Sequence, residues 1–170
     1  MLNPFLSKLL FIRQFGIDKG ELKIFNKRFL LIPLSAFLSI KLNKEQETKF
    51  VKELKLSFTH LAKFLSKSNN VIELLENYLA LFNSMGLGEI QVESFDQKTK
   101  RMILVLRNST IAKEYINKTG YSKKPVCKLV TLILKAMLSI VLKTDVNVKE
   151  TACLAMKNDF CVFNAIPKKG

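Results

Sequence analysis

One stretch near the C-terminus restricts this chain more than any other: VKETACLAMKNDFCVF, residues 148–163. It holds Glu150, Cys153 and Cys161, and the only other cysteine, Cys127, lies upstream at a predicted helix start. Three thiolates and one carboxylate can complete a tetrahedral shell around Zn²⁺ with no open position, the structural rather than the catalytic kind of site. Cys127 falls two residues after Pro125, in the first turn of that helix, where free N–H groups and the helix dipole favour a thiolate. On the following strand Val146, Val148, Glu150 and Ala152 share one parity, and Cys153 has the other. A regular strand therefore cannot aim Glu150 and Cys153 at one ion. The chain must turn or bulge between them. Cys161 returns after a span that suits a hairpin. The simpler alternative is that the three cysteines are buried small hydrophobes.

The remaining pattern predicts an α+β fold: a single domain over 1–170, with antiparallel β-hairpins packed on a helical group. Residues 1–19 read as an N-terminal helix, capped by Asn3 with Pro4 at its first position, and with Leu2, Phe5, Leu6, Leu9 and Ile12 on one face. Residues 20–124 form a hairpin–helices–hairpin region. GELKIF and KRFLLI flank a turn at Asn26-Lys27, and Pro33 opens a helix through Ala36, Phe37 and Ile40. Asn43 offers a cap for a longer helix, whose core face carries Phe50, Leu54, Phe58, Leu61 and Leu65. Asn70 and Glu73 resemble a capping box for helix 71–84, with Leu74, Leu75, Tyr78 and Leu81 inward and Gly86 as the stop. EIQVESF and RMILVLR, joined by DQKT, predict a second hairpin whose second strand is covered on both faces.

Asn108-Ser109-Thr110 starts a short helix that Gly120 closes. Residues 125–166 hold the most apolar helix, 125–143, with Lys128, Lys135 and Lys143 on one stripe, and then a hairpin with strands near 145–152 and 160–166. That helix is expected at the centre of the core.

Charge and motifs narrow the function. The chain has 28 Lys+Arg against 14 Asp+Glu, a formal +14, which could attract nucleic acid, an anionic membrane or an acidic partner. The lysines are scattered, so a solvated surface is preferred and nucleic-acid binding is not favoured. Three cysteines cannot all pair within one chain, which argues against a disulfide framework. No secretory signal and no transmembrane segment is visible, and the expected location is cytoplasmic. No phosphate loop, nucleophile elbow or Ser/His/Asp or Cys/His pairing marks an enzyme. His60, the only histidine, is a candidate for an internal ligand pocket together with Tyr78 and Phe37.

E-x-x-C followed by seven residues and C-x-F, at the end of an α+β domain, resembles the 4-vinyl-reductase domain family of hydrocarbon-binding proteins. That family is related in fold to Bet3-like subunits of vesicle-tethering complexes. The resemblance implies that Cys127, Glu150, Cys153 and Cys161 ligate a structural Zn²⁺. It also implies a sensor or carrier domain for a small apolar or aromatic ligand, acting through a homodimer or a partner. Two alternatives stand beside it: a protein–protein interaction module, and a thiol redox sensor that releases its metal on oxidation. The sequence departs from the family at two points. Lys157 stands where the family has glycine, so a positive φ there is expected to move to Asn158. The family's phenol sensors read their ligand with a Trp and a His, and this chain has no Trp.

Overall fold

RMILVLR, the most continuously apolar strand of the chain, takes an interior place in a four-stranded sheet. The computed structural model describes residues 15–18, 21–24, 27–29, 33–38, 40, 42–65 and 70–168, with side chains from residue 33 on except those of 37 and 63–65. By its internal contacts the chain separates into Met1–Ile40 and Lys41–Gly170.

In the first unit, β1 (Phe15–Asp18), β2 (Glu21–Ile24) and β3 (Lys27–Phe29) form an antiparallel sheet in that order. Ile24 pairs with Lys27, so the expected hairpin is present with its turn one residue earlier than the sequence suggested. Most of the expected N-terminal helix, residues 1–14, lies outside the described residues, and Phe15–Asp18 is a strand rather than its last turn. The helix after Pro33 is a single turn, α1 (Leu34–Phe37).

In the second unit, α2 (Lys44–Leu65) and α3 (Val71–Asn83) precede β4 (Glu89–Asp96) and β5 (Arg101–Arg107). Then come α4 (Thr110–Thr119), α5 (Lys128–Val141), β6 (Val146–Ala152), a 3-10 turn (Leu154–Met156) and β7 (Cys161–Pro167). The two hairpins join through β5 and β7 into one antiparallel sheet of order β4-β5-β7-β6, packed with helices. This is the expected α+β architecture.

Local signals explain the helix starts. Asn43 Oδ1 accepts from the Gln46 N–H and Gln46 Oε1 from the Asn43 N–H, each at 2.9 Å, a reciprocal capping box. Asn70 accepts from the Ile72 N–H at 3.0 Å. On α2 the buried face is Val51, Phe58 and Leu61, with Phe50 and Leu54 only half-buried; on α3 it includes Tyr78 and Phe82.

Helix α5 is the buried centre. It packs on α2, α3 and β6, and Val130, Leu134, Ala136, Leu138 and Val141 are wholly excluded from solvent. Lys128 and Lys143 are exposed and Lys135 is half-buried, as one polar stripe requires. The expectation for β5 needs correction. Met102, Leu104 and Leu106 are buried on one face and Val105 on the other, but Ile103 is 39% exposed. The second face is covered at one end only.

Candidate metal centre

Four side chains from four places in the fold meet in one buried cluster. Cys127 occupies the N-cap position of α5, Glu150 lies on β6, Cys153 leads into the 3-10 turn, and Cys161 opens β7. The parity conflict is resolved by a bulge: Glu150 pairs with Phe163 and Ala152 with Val162, leaving Thr151 as the extra residue. Glu150 and Cys153 thereby reach the same point.

The three cysteines are fully buried and unpaired by disulfide, and Glu150 is also buried. Their sulfurs lie 3.6 Å (Cys127–Cys161), 3.8 Å (Cys153–Cys161) and 3.9 Å (Cys127–Cys153) apart. With a carboxylate oxygen of Glu150, the four donor atoms fall within 4.8 Å of one another. A tetrahedral ion with metal–sulfur bonds of about 2.3 Å places its sulfurs about 3.8 Å apart. The triangle already has that size.

The carboxylate gives a second sign of fit. Glu150 Oε2 accepts from the Cys127 N–H at 2.9 Å, at the positive end of α5. Its other oxygen, Oε1, is buried and has no hydrogen-bond partner. A buried acceptor left without a donor costs roughly 1–3 kcal/mol. A cation at the centre of the four atoms would supply what it lacks, so the cluster could hold a metal ion.

Without an ion the site resists charge. Burial, then the neighbouring Cys153, pushes the Glu150 carboxyl up to about 8. Hydrogen bonds to Cys153 and Cys161, then burial, push the Cys127 thiol above its ordinary range. The hydrogen bonds from Cys127 and Cys161 hold Cys153 below its own. With the three sulfurs 3.6–3.9 Å apart, ionising all of them without an ion would hold like charges within 4 Å of one another.

Neutral polar groups contact two of the sulfurs, while two lysines near the ligands in sequence are engaged elsewhere. Lys128, near Cys127 in sequence, pairs with Glu47, and Lys157 Nζ lies 5.4 Å over the Tyr121 ring. The Leu154 N–H points at Cys161 Sγ at 3.4 Å, and Ser109 Oγ is 3.3 Å from Cys127 Sγ. Ser109 reads in the sequence only as a helix start; no pattern signals that this start touches the start of α5.

The loop after Cys153 corrects another expectation. Lys157 itself takes the left-handed conformation, φ 66° and ψ 25°, while Asn158 donates its side-chain N–H to the Cys153 carbonyl at 3.0 Å. Lys157→Gly should leave stability unchanged or raise it by up to about 1 kcal/mol, the relief of a left-handed non-glycine less the cost of glycine's freedom and the lost Tyr121 contact. Urea unfolding reads this directly, and a lowered midpoint would contradict strain at that position.

The three pocket candidates are not assembled in the same way. Tyr78 is fully buried on α3, its hydroxyl donating to the Phe58 carbonyl at 2.5 Å and its ring edge-on to Phe58 at 5.6 Å. His60 is half-buried on α2, two residues past Phe58, and the Phe37 side chain lies outside the described ones. An open hollow of about 460 Å³, lined by Phe95, Met102, Ile103, Ala165 and Ile166 with Asp96 and Arg101, contains none of the three. No helix among the described residues is long and apolar enough to cross a membrane.

Comparison with known proteins agrees with this fold. The phenol-responsive sensory domain of the transcription activator PoxR, determined with phenol, superposes with a TM-score of 0.78 at 17% identity, over 96% of this chain and 88% of that one. A vinyl-4-reductase family protein from Methanocaldococcus jannaschii superposes at 0.54 with 15% identity, over 83% and 85%. A trafficking protein particle complex subunit 3 from Naegleria fowleri, covalently bound to palmitic acid, reaches 0.46 at 14% identity over 79% and 87%, too distant to inform the fold. No curated protein matches the sequence. Residues 107–167, which span all four members of the cluster, match the family model of the 4-vinyl reductase domain. Over residues 107–167, about a third of its length, the chain is thus similar to the 4-vinyl reductase domain.

Proposed function

We propose that this chain is a non-catalytic, zinc-containing domain that binds a small apolar or aromatic molecule as a sensor or carrier. The observation behind the zinc is the sulfur triangle of 3.6, 3.8 and 3.9 Å beside an unpartnered Glu150 oxygen. Thiolate-rich tetrahedral donor sets suit zinc, and four protein ligands leave no position for a reacting water. Cys127, Glu150, Cys153 and Cys161 would hold the ion, and its double positive charge would let the buried thiols and carboxyl ionise together. Because these residues head α5 and flank the turn between β6 and β7, the ion would clamp the central helix to the last hairpin. Such a role is structural.

The ligand reading rests on the 4-vinyl reductase domain and on likeness in fold, across 96% of the chain, to a sensory domain that responds to phenol. Ligand sites of this class are mostly apolar with few polar anchors. His60 and Tyr78, both in the second unit, are the proposed contacts. The Tyr78 hydroxyl is already bonded to the Phe58 carbonyl, so Tyr78 would offer its ring. With no Trp in the chain, the aromatic specificity would differ from a sensor that uses one.

Thermal melting of the zinc-loaded protein against a panel of phenols, alkylbenzenes and fatty acids tests this. One member should stabilise the fold by about 2.7 kcal/mol at a hundredfold excess over its Kd. A flat response across the whole panel would sink the ligand reading and leave the zinc reading untouched.

A further inference from the structure

We infer that Ser109 is a positioning residue of the metal centre: its hydroxyl donates to the Cys127 sulfur and ties the start of α4 to the coordination shell. The inference rests on the metal reading above. Ser109 is wholly buried, and its Oγ has two neighbours. It accepts from the Ala112 N–H at 3.3 Å as the N-cap of α4, and it lies 3.3 Å from Cys127 Sγ. The first contact uses an oxygen lone pair and leaves the hydroxyl proton free. In the second contact either atom could donate while Cys127 is a thiol. A metal-bound sulfur has no proton, so only the serine can donate to it. Binding the ion therefore fixes the direction of this bond.

The other ligands are served by the main chain. Glu150 receives the Cys127 N–H, Cys161 the Leu154 N–H, and Cys153 the Val126 backbone. Among the donors described, Ser109 is the one from a side chain, and so the one that a substitution can remove. Its place also links two parts of the centre. Helix α4 packs against the 3-10 turn that follows Cys153, and beyond α4 the Ser122 N–H bonds to the Ala155 carbonyl of that turn at 2.8 Å. Helix α4 therefore meets the Cys127 sulfur at its start and the turn after Cys153 along its body. A hydrogen bond to a thiolate spreads its charge and steadies it as a ligand, and loss of such outer partners typically weakens metal binding roughly 10–100-fold.

The test separates this bond from the helix cap. Glycine at an N-cap preserves most of a serine's capping, so Ser109→Gly removes the sulfur contact and nearly spares α4. Full-length wild type, Ser109→Gly, Ser109→Ala and Ser109→Thr are loaded with Zn²⁺ for competition with a chromophoric chelator, and with Co²⁺ for absorption spectra. Ser109→Gly and Ser109→Ala should raise the metal Kd at least about tenfold. They should also move the sulfur-to-cobalt charge-transfer band to lower energy, because the sulfur lone pair loses its donor. Ser109→Thr, which keeps the hydroxyl, should match wild type in both. If wild type binds one equivalent and Ser109→Gly has the same Kd and the same band, the role is overturned. Should the glycine variant not fold, an unchanged Kd and band in Ser109→Ala overturn it equally. Failure of wild type to take up either metal overturns the metal centre itself, and the role of Ser109 falls with it.

Discussion

Cys153→Ala abolishes stoichiometric metal binding and lowers the melting temperature of the chain to that of the metal-stripped wild type. Cys153 is fully buried and sits 3.8–3.9 Å from both other sulfurs. Alanine leaves two thiols and a carboxyl, too few protein donors to close a tetrahedral site. An ion that binds only the folded chain stabilises it by about 4 kcal/mol when free metal stands a thousandfold above Kd. For a chain of this size that is a fall of roughly 8–16 °C. After exhaustive chelation the variant and the wild type should melt within about 1 kcal/mol of each other, since Cys→Ala removes little packing volume. Melting curves recorded with and without chelator check both halves. A Cys153→Ala chain that keeps the metal and the full melting temperature would remove the clamp from the account.

Phe163→Ala should destabilise the chain by about 3–5 kcal/mol, whether metal is present or not. Phe163 is wholly buried on β7, between Leu104 of β5 and Glu150 of β6 in register. Its ring fills the layer between the sheet and the helices, where little can collapse into the space it leaves. The contrast with Cys153 is diagnostic. Cys153→Ala acts only through the metal-bound form, whereas Phe163→Ala lowers both forms and leaves about one metal per chain. Chemical denaturation of both forms reads the difference. Equal metal dependence in the two variants would show that core and clamp are not separate sources of stability.

Much of the centre was legible because it follows from local rules. Alternation along residues 146–153 required an irregularity between Glu150 and Cys153, and the structure places a bulge at Thr151. Pro125 and the apolar run after it placed Cys127 at the head of the central helix, and Asn43 and Asn70 marked two helix starts through their side chains. The less legible features depend on contacts between distant segments. Both hairpins alternate with the same period, so nothing local dictates that β5 and β7 become neighbours, or that Ile103 stays exposed while Val105 is covered. Lys157 shows that a residue poorly suited to positive φ can still adopt it when the surrounding turn requires it.

Elemental analysis of the chain purified without added metal or chelator tests the central claim most directly. The account predicts about one zinc per chain, with all three cysteines unreactive toward a thiol reagent until the metal is removed. Metal-free protein that is fully folded, with its three cysteines present as free thiols, would contradict it.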